Sequence, residues 1–273
     1  MEKGEFKRIF IISIYVLIFA AIVGVFYFFS APTPTCYDNL QNQNEEGVDC
    51  GGVCLKKCEI VPQEKIAVLE AGWVESGVPG EYDLYAEIRN PNQMFGSESF
   101  EYKFIAKDAN GQELASFSNT GFALPGETKY VIKSNLGMNS APNSVELVIG
   151  ETKWVEKNEF YEKPQLRIIN KKYNLITSGI EYAEALGLLN NDSAMDFSLI
   201  KLEIILKNAE GKIIALNSSE MRTVKAGEGR DFRVFWPNKF PGDVANMEVQ
   251  AEVNIFSSES FVKKFFKQQR FQE

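Results

Sequence analysis

Two hydrophobic patterns divide the chain. From Ile9 to Phe29 the run IFIISIYVLIFAAIVGVFYFF carries no charge. Its 21 residues, at about 1.5 Å each, reach roughly 30 Å, the thickness of a bilayer's hydrocarbon core, and predict a transmembrane helix over 9–30. A buried core helix would keep a polar stripe, which this run lacks. A cleaved signal peptide is the rival, but its apolar region is about 7–15 residues and Ser30-Ala31 is a poor cleavage site. Lys3, Lys7 and Arg8 precede the run, and no Lys or Arg falls between Ser30 and Val53. That asymmetry makes 1–8 a cytoplasmic tail and places the rest outside a cell membrane crossed once, with Tyr27 at the interface.

Beyond residue 62 the period falls to two. Leu84, Ala86 and Ile88 alternate with polar neighbours, as do Phe100, Tyr102, Phe104 and Ala106, then Lys129, Val131 and Lys133 against Tyr130 and Ile132. Leu202, Ile204 and Leu206 share a face further on, and Phe232, Val234 and Trp236 share another. Such alternation predicts half-buried strands, and Asp108-Ala-Asn-Gly111 between two of them predicts a hairpin turn. The pattern also repeats. Ile66–Val68 aligns with Leu166–Ile168, Trp73 with Tyr173, Tyr82–Asn90 with Tyr182–Asn190, and Phe104–Gly111 with Ile204–Gly211, all offset by 100. Pro125-Gly126-Glu127 aligns with Ala226-Gly227-Glu228 at 101, and Val145–Leu147 with Met247–Val249 at 102. A register held so long indicates duplication. Short strands between turns predict two-sheet sandwiches at 62–157 and 165–268, a linker at 158–164 and a tail at 269–273.

Between anchor and repeats lies a neck, 31–61. Pro32 and Pro34 stiffen its start, and it holds all four cysteines, Cys36, Cys50, Cys54 and Cys58. With little apolar surface for a core, and outside the membrane, they read as two disulfides in any of three pairings. Zinc is the rival, though the spacing is not a pair of CxxC motifs. Asp38, Asn42, Asn44, Glu45 and Asp49, with Glu46 beside them, offer hard oxygens that could hold calcium, the one cofactor these residues suggest. They do not follow EF-hand spacing, and Asp and Asn also cap turns.

Cys36, Asp38, Asn42, Glu45, Gly47, Val48, Asp49, Cys50, Gly51, Gly52 and Cys54 match a pattern, C-x-D-G-x-x-N-x-x-E-x-G-V-D-C-G-G-x-C-x-x-C. The neck thus resembles a small motif of bacterial and archaeal surface proteins, departing from it in Asn39 for the usual Gly and in a final CxxxC. Both repeats resemble the FxLYD-type immunoglobulin-like sandwich. In the first, Phe104, Asp108, Gly111 and Leu124-Pro125-Gly126-Glu127 match, while Ala106 and Lys107 replace Leu and Tyr. In the second, Leu206, Gly211 and Gly227-Glu228 match, and Asn208 replaces the Asp. The resemblance implies extracytoplasmic, non-enzymatic modules. The fold class is mainly β: two tandem immunoglobulin-like sandwiches after one transmembrane helix and a disulfide-rich neck.

Composition narrows the chemistry. Histidine is absent, which removes the usual general base and every Ser-His or Cys-His nucleophile. Net charge is -8, against broad binding to nucleic acid. Trp73, Trp154 and Trp236 could make a sugar-stacking platform but read first as core. Asn191-Asp-Ser193 and Asn217-Ser-Ser219 match glycosylation sequons. Phe261–Phe271 mixes aromatics with Lys263, Lys264, Lys267 and Arg270 and reads as a last strand and frayed tail, with lipid headgroups or a partner as the alternative. The expected function is a membrane-anchored surface binding or scaffold protein, not an enzyme. Its expected partners are the bilayer through 9–29 and other envelope proteins or surface ligands. The alternative is a structural subunit of an envelope assembly, such as a secretion or pilus-associated complex.

Overall fold

The computed structural model describes residues 3–30, 35–56, 58 and 64–267, with side chains in the opening helix at 8 and 10–26. Pro32, Pro34, the tail 269–273 with Arg270 and Phe271, and the side chains of Lys3, Lys7 and Tyr27 lie outside the described residues. The chain divides into two compact units, Met1–Val61 and Pro62–Glu273.

The first unit opens with helix α1 (Lys3–Ser30). Its described side chains are exposed on every side, Phe10, Ile12, Tyr15, Leu17, Phe19 and Phe26 among them. Ser13 turns its hydroxyl back onto the Phe10 carbonyl at 2.8 Å, so its polar group is satisfied within the helix. Among the described residues no helix is long and apolar enough to cross a membrane. The uncharged run Ile9–Phe29 extends past the side chains described. The neck follows, crosslinked by Cys36–Cys54 and Cys50–Cys58.

The second unit contains, in its described residues, twelve strands: β1 (Ala67–Glu75), β2 (Glu81–Arg89), β3 (Phe95–Lys107), β4 (Glu113–Ala123), β5 (Thr128–Gly137), β6 (Ser144–Glu156), β7 (Leu166–Leu175), β8 (Ala183–Asn191), β9 (Phe197–Lys207), β10 (Ile213–Val224), β11 (Gly229–Trp236) and β12 (Asn246–Glu252). They form four three-stranded antiparallel sheets, ordered β1-β2-β5, β4-β3-β6, β11-β8-β7 and β10-β9-β12. Adding six to each strand number of the first two sheets gives the other two, so the sequence repeat is also a repeat of topology. In the first module Leu84, Ala86, Ile88 and Val131 of one sheet pack on Phe100, Tyr102, Phe104 and Leu147 of the other. In the second, Ala185, Leu189, Phe232 and Val234 meet Ile200, Leu202, Ile204 and Leu206.

Register refines the alignment. Phe104 faces Phe117 and Leu147, and Ile204 faces Asn217 and Val249, which agrees with offsets of 100 and 102. The Asp108 carboxylate accepts the Asn110 and Gln112 N–H groups, and the Asn208 side chain accepts that of Lys212. Each turn closes on a glycine at positive φ, Gly111 at 80° and Gly211 at 78°. In β8, however, the pairing of Tyr82–Asn90 with Tyr182–Asn190 is one residue out. The Asn90 N–H donates to the Glu127 carbonyl, and Asn191, not Asn190, repeats that bond with Glu228. Leu84, Ala86 and Ile88 therefore correspond to Ala185, Gly187 and Leu189. Both faces of β8 carry leucines, Leu186 and Leu188 half-buried opposite Leu189, so its alternation does not mark the inward face.

The C-terminal segment also departs from expectation. The last strand ends at Glu252, and a 3-10 turn (Ile255–Ser257) and helix α2 (Glu259–Phe265) follow it. Phe261 and Phe265, four apart, share a helix face with ring centroids 6.1 Å apart. Phe265 and Phe266 are fully buried, stacked edge-on against Tyr161 of the linker at 6.2 and 5.7 Å. Phe265 and Phe266 thus belong to the core, in a short helix and the residue after it where a last strand was expected, while Lys263, Lys264 and Lys267 stay exposed.

Candidate functional site

The neck brings most of its candidate residues together. Glu45 is buried; one carboxylate oxygen accepts the N–H groups of Asn42 and Asp49 at 3.2 and 3.3 Å. Its other oxygen lies 3.0 Å from Cys54 Sγ. A disulfide sulfur carries no hydrogen, so this is a close contact and not a hydrogen bond. The Asp49 carboxylate accepts the N–H groups of Asp38 and Asn39 at 2.9 and 3.0 Å. That of Asp38 accepts the Thr35 and Leu40 N–H groups and the Asn42 amide, all at 2.9–3.0 Å. The Thr35 amide first, then Asn42, hold the Asp38 carboxyl below its ordinary range. The candidate calcium ligands Asp38, Glu45 and Asp49 thus face amide donors of the folded loop, and the buried Asn42 side-chain oxygen has no partner among the described residues. Asn44 contributes through its backbone. A Cβ on Gly52 would stand 1.9 Å from the Asn44 carbonyl, so only glycine fits there. Asn39, at the motif's usual Gly, takes φ 58°, which asparagine tolerates. All four cysteines are spent in disulfides, which leaves no thiolate for zinc.

The remaining sequence candidates have structural roles. Trp236 is buried, and its indole N–H donates to the Leu216 carbonyl at 3.0 Å. Trp73 and Trp154 pack on the first module's core, so the three do not form a stacking platform. Asn191 is fully buried, its amide donating to Met195 and Lys225 carbonyls at 2.7 and 3.0 Å. Asn217 donates to the Phe235 carbonyl at 2.8 Å.

What strand patterning missed is a polar junction between the modules. Val74, Tyr85, Tyr130 and Ile132 of the first pack against Ile205, Ile213 and Leu216 of the second. Next to this apolar half, Lys129 pairs with Glu252 at 2.7 Å, their side chains 6 and 11% exposed, and Lys129 Nζ sits 3.6 Å above the Phe122 ring. The Gln250 carboxamide bonds the Tyr130 backbone in both senses: it accepts the N–H at 2.7 Å and donates to the carbonyl at 3.2 Å. It takes the place of a neighbouring strand at β5's free edge. Glu203, 1% exposed, pairs with Lys201 through one oxygen. Position-by-position comparison of the copies carries the signal: Lys103, Val148 and Gly150 in the first stand where the second has Glu203, Gln250 and Glu252.

No family model matches the chain, and no curated protein matches it at a significant level. The resemblances of the neck and repeats therefore rest on the quoted residues alone.

Proposed function

We propose that the chain is a membrane-anchored, extracytoplasmic binding or scaffold protein without catalytic activity, presenting two immunoglobulin-like sandwiches on a crosslinked neck. The observation that carries this reading is α1. A helix whose described side chains expose Phe, Ile and Leu on every side has no cover for that apolar surface among the described residues, and in water that surface costs about 25 cal/mol per Å². The full Ile9–Phe29 run is long enough to place it in lipid. Two disulfides support an oxidising compartment for the neck, in line with the cations that precede the helix. Paired antiparallel sheets support the immunoglobulin-like assignment. Within this reading, the interlocked junction favours a rigid spacer over a flexible tether.

Alkaline carbonate extraction and surface labelling test it. The chain should stay with the membrane, and an impermeant amine reagent on intact cells stripped of outer layers should modify exposed Lys212 and Lys225 but not Lys3 or Lys7. Release by carbonate would defeat the anchor, and labelling confined to Lys3 and Lys7 would reverse the orientation.

A further inference from the structure

We infer that docking of the two modules is proton-coupled: the closed junction keeps a proton on the Glu203 carboxyl that the parted modules release. The geometry begins with a position. Glu203 lies on β9, whose other face supplies Leu202, Ile204 and Leu206 to the second core. Its own face would be open to water in an isolated module; here it is 1% exposed. Lys201 meets one carboxylate oxygen, and the other has no partner among the described residues. The charged or titratable groups around it are Lys201 on β9, Glu252 on β12, Lys129 on β5 and Tyr102 on β3. Its cross-strand neighbours are Ser218 on β10 and Gln250 on β12. Lys129 already pairs with Glu252 in the same closed space, while Lys201, 41% exposed, reaches Glu203 from a half-open position. An ionised Glu203 would leave a bare anionic oxygen in that space. Protonation removes the charge and makes that oxygen a donor.

Burial accordingly pushes the Glu203 carboxyl up to about 7 in the docked state. Parting the modules hydrates it and returns it toward the ordinary glutamate range. The sign follows from linkage. Because the docked value is the higher, this contribution to docking is fully present below the ordinary glutamate range. It falls as pH rises and is gone above about 7. In between, the opening equilibrium shifts about tenfold per pH unit. Tyr102, raised by burial, stays neutral throughout. Asp83 is buried too, but the groups acting on it, Asn135, Glu81 and Lys133, all belong to the first module and stay in place when the modules part.

The Tyr130 N–H, bonded to Gln250, reports docking, while amides of the β2–β5 ladder report the first module itself. Hydrogen exchange of the full chain in detergent, resolved to these amides and corrected for intrinsic rates, should show Tyr130 protection falling about tenfold per unit from pH 5 toward 7, with ladder amides steady. Glu203→Gln, an isostere of the protonated carboxyl, should flatten the profile and keep protection at its acid value. A flat wild-type profile would overturn the inference even if the variant failed to fold. An unchanged slope in a folded Glu203→Gln variant would overturn it as well.

Discussion

Replacing Asn191 by alanine tests both the corrected register of the repeat and the physics of its corners. The Asn191 amide donates to the Met195, Lys225 and Val224 carbonyls at 2.7, 3.0 and 3.5 Å, and its oxygen accepts the Ser193 N–H at 3.1 Å. Asn90 does the same in the first module, donating to Phe95 and Leu124 at 2.7 and 2.9 Å and accepting from Asn92 at 3.1 Å. Both residues are fully buried, so water cannot replace the lost partners. A buried polar group left unpaired costs about 1–3 kcal/mol. Two well-aligned carbonyls and one N–H lose their partner, and with partial relaxation the total comes to about 3–5 kcal/mol. That is a large share of a domain's net stability of about 5–15 kcal/mol. Urea unfolding of the full chain in detergent measures it, with Asn190→Ala, at a half-buried side chain, as the comparison. The alanine at 190 should cost under about 1 kcal/mol. Equal losses at 190 and 191, or a loss below about 1 kcal/mol at 191, would refute the reasoning. A glycan found on Asn191 would do so too, since its amide nitrogen has no room for one.

Two further outcomes are expected. Mass spectrometry after alkylation without reductant should find peptides linking Cys36 to Cys54 and Cys50 to Cys58 and no alkylated cysteine. Reduction should loosen only the neck, by about 3 kcal/mol for a loop of eighteen residues, and copurifying zinc with four alkylated cysteines would reject the pairing. Phe265→Ala should destabilise the second module by about 3–5 kcal/mol in thermal or urea unfolding, because the ring is fully buried. A near-neutral effect would return the segment to a frayed tail.

How much of this was legible in the sequence follows from which interactions are local. Hairpin turns were, because Asp108 and Asn208 satisfy backbone amides within four residues. Inward faces of β3 and β9 were, because Phe100–Ala106 and Leu202–Leu206 alternate against residues the pleat turns outward. Disulfide pairing was not, since four cysteines in a short loop are compatible with three connectivities until Asp49 and Glu45 fold the loop over its own amides. The calcium candidates were visible as residues, but their amide partners lie up to eleven positions away. Helix α2 was missed because Phe261–Phe266 is apolar enough for either a strand or a helix turn, and only Tyr161 and Phe256, reached through the fold, decide it. Glu203 carries no signal beyond its place between Leu202 and Ile204, because nothing near it in sequence reveals that the first module covers its face.

The two copies also differ at the positions that form the junction. Each module has two sheets with outward faces, and the junction uses an unlike pair, β1-β2-β5 with its β5 edge from the first and β10-β9-β12 from the second. A contact between unlike faces of duplicated modules does not close on itself, and repeated between chains it would build a filament. The unused faces are altered at the contact positions. Where the first module docks with Val74, Tyr85 and Ile132, the second carries Asn174, Leu186 and Arg233. Where the second docks with Ile205, Ile213 and Leu216, the first carries Ile105, Glu113 and Ser116. Lys129, which reaches across to Glu252, is replaced by Arg230, which turns back to the Arg222 and Thr223 carbonyls at 2.6 and 3.0 Å and closes its own module's edge. Docking at these faces would bury the Lys103–Glu113 and Arg233–Glu184 pairs, which are partly open to water, against little apolar gain. Polarity at these few positions therefore separates the faces that dock from those that do not, and Glu203 lies on a face that docks.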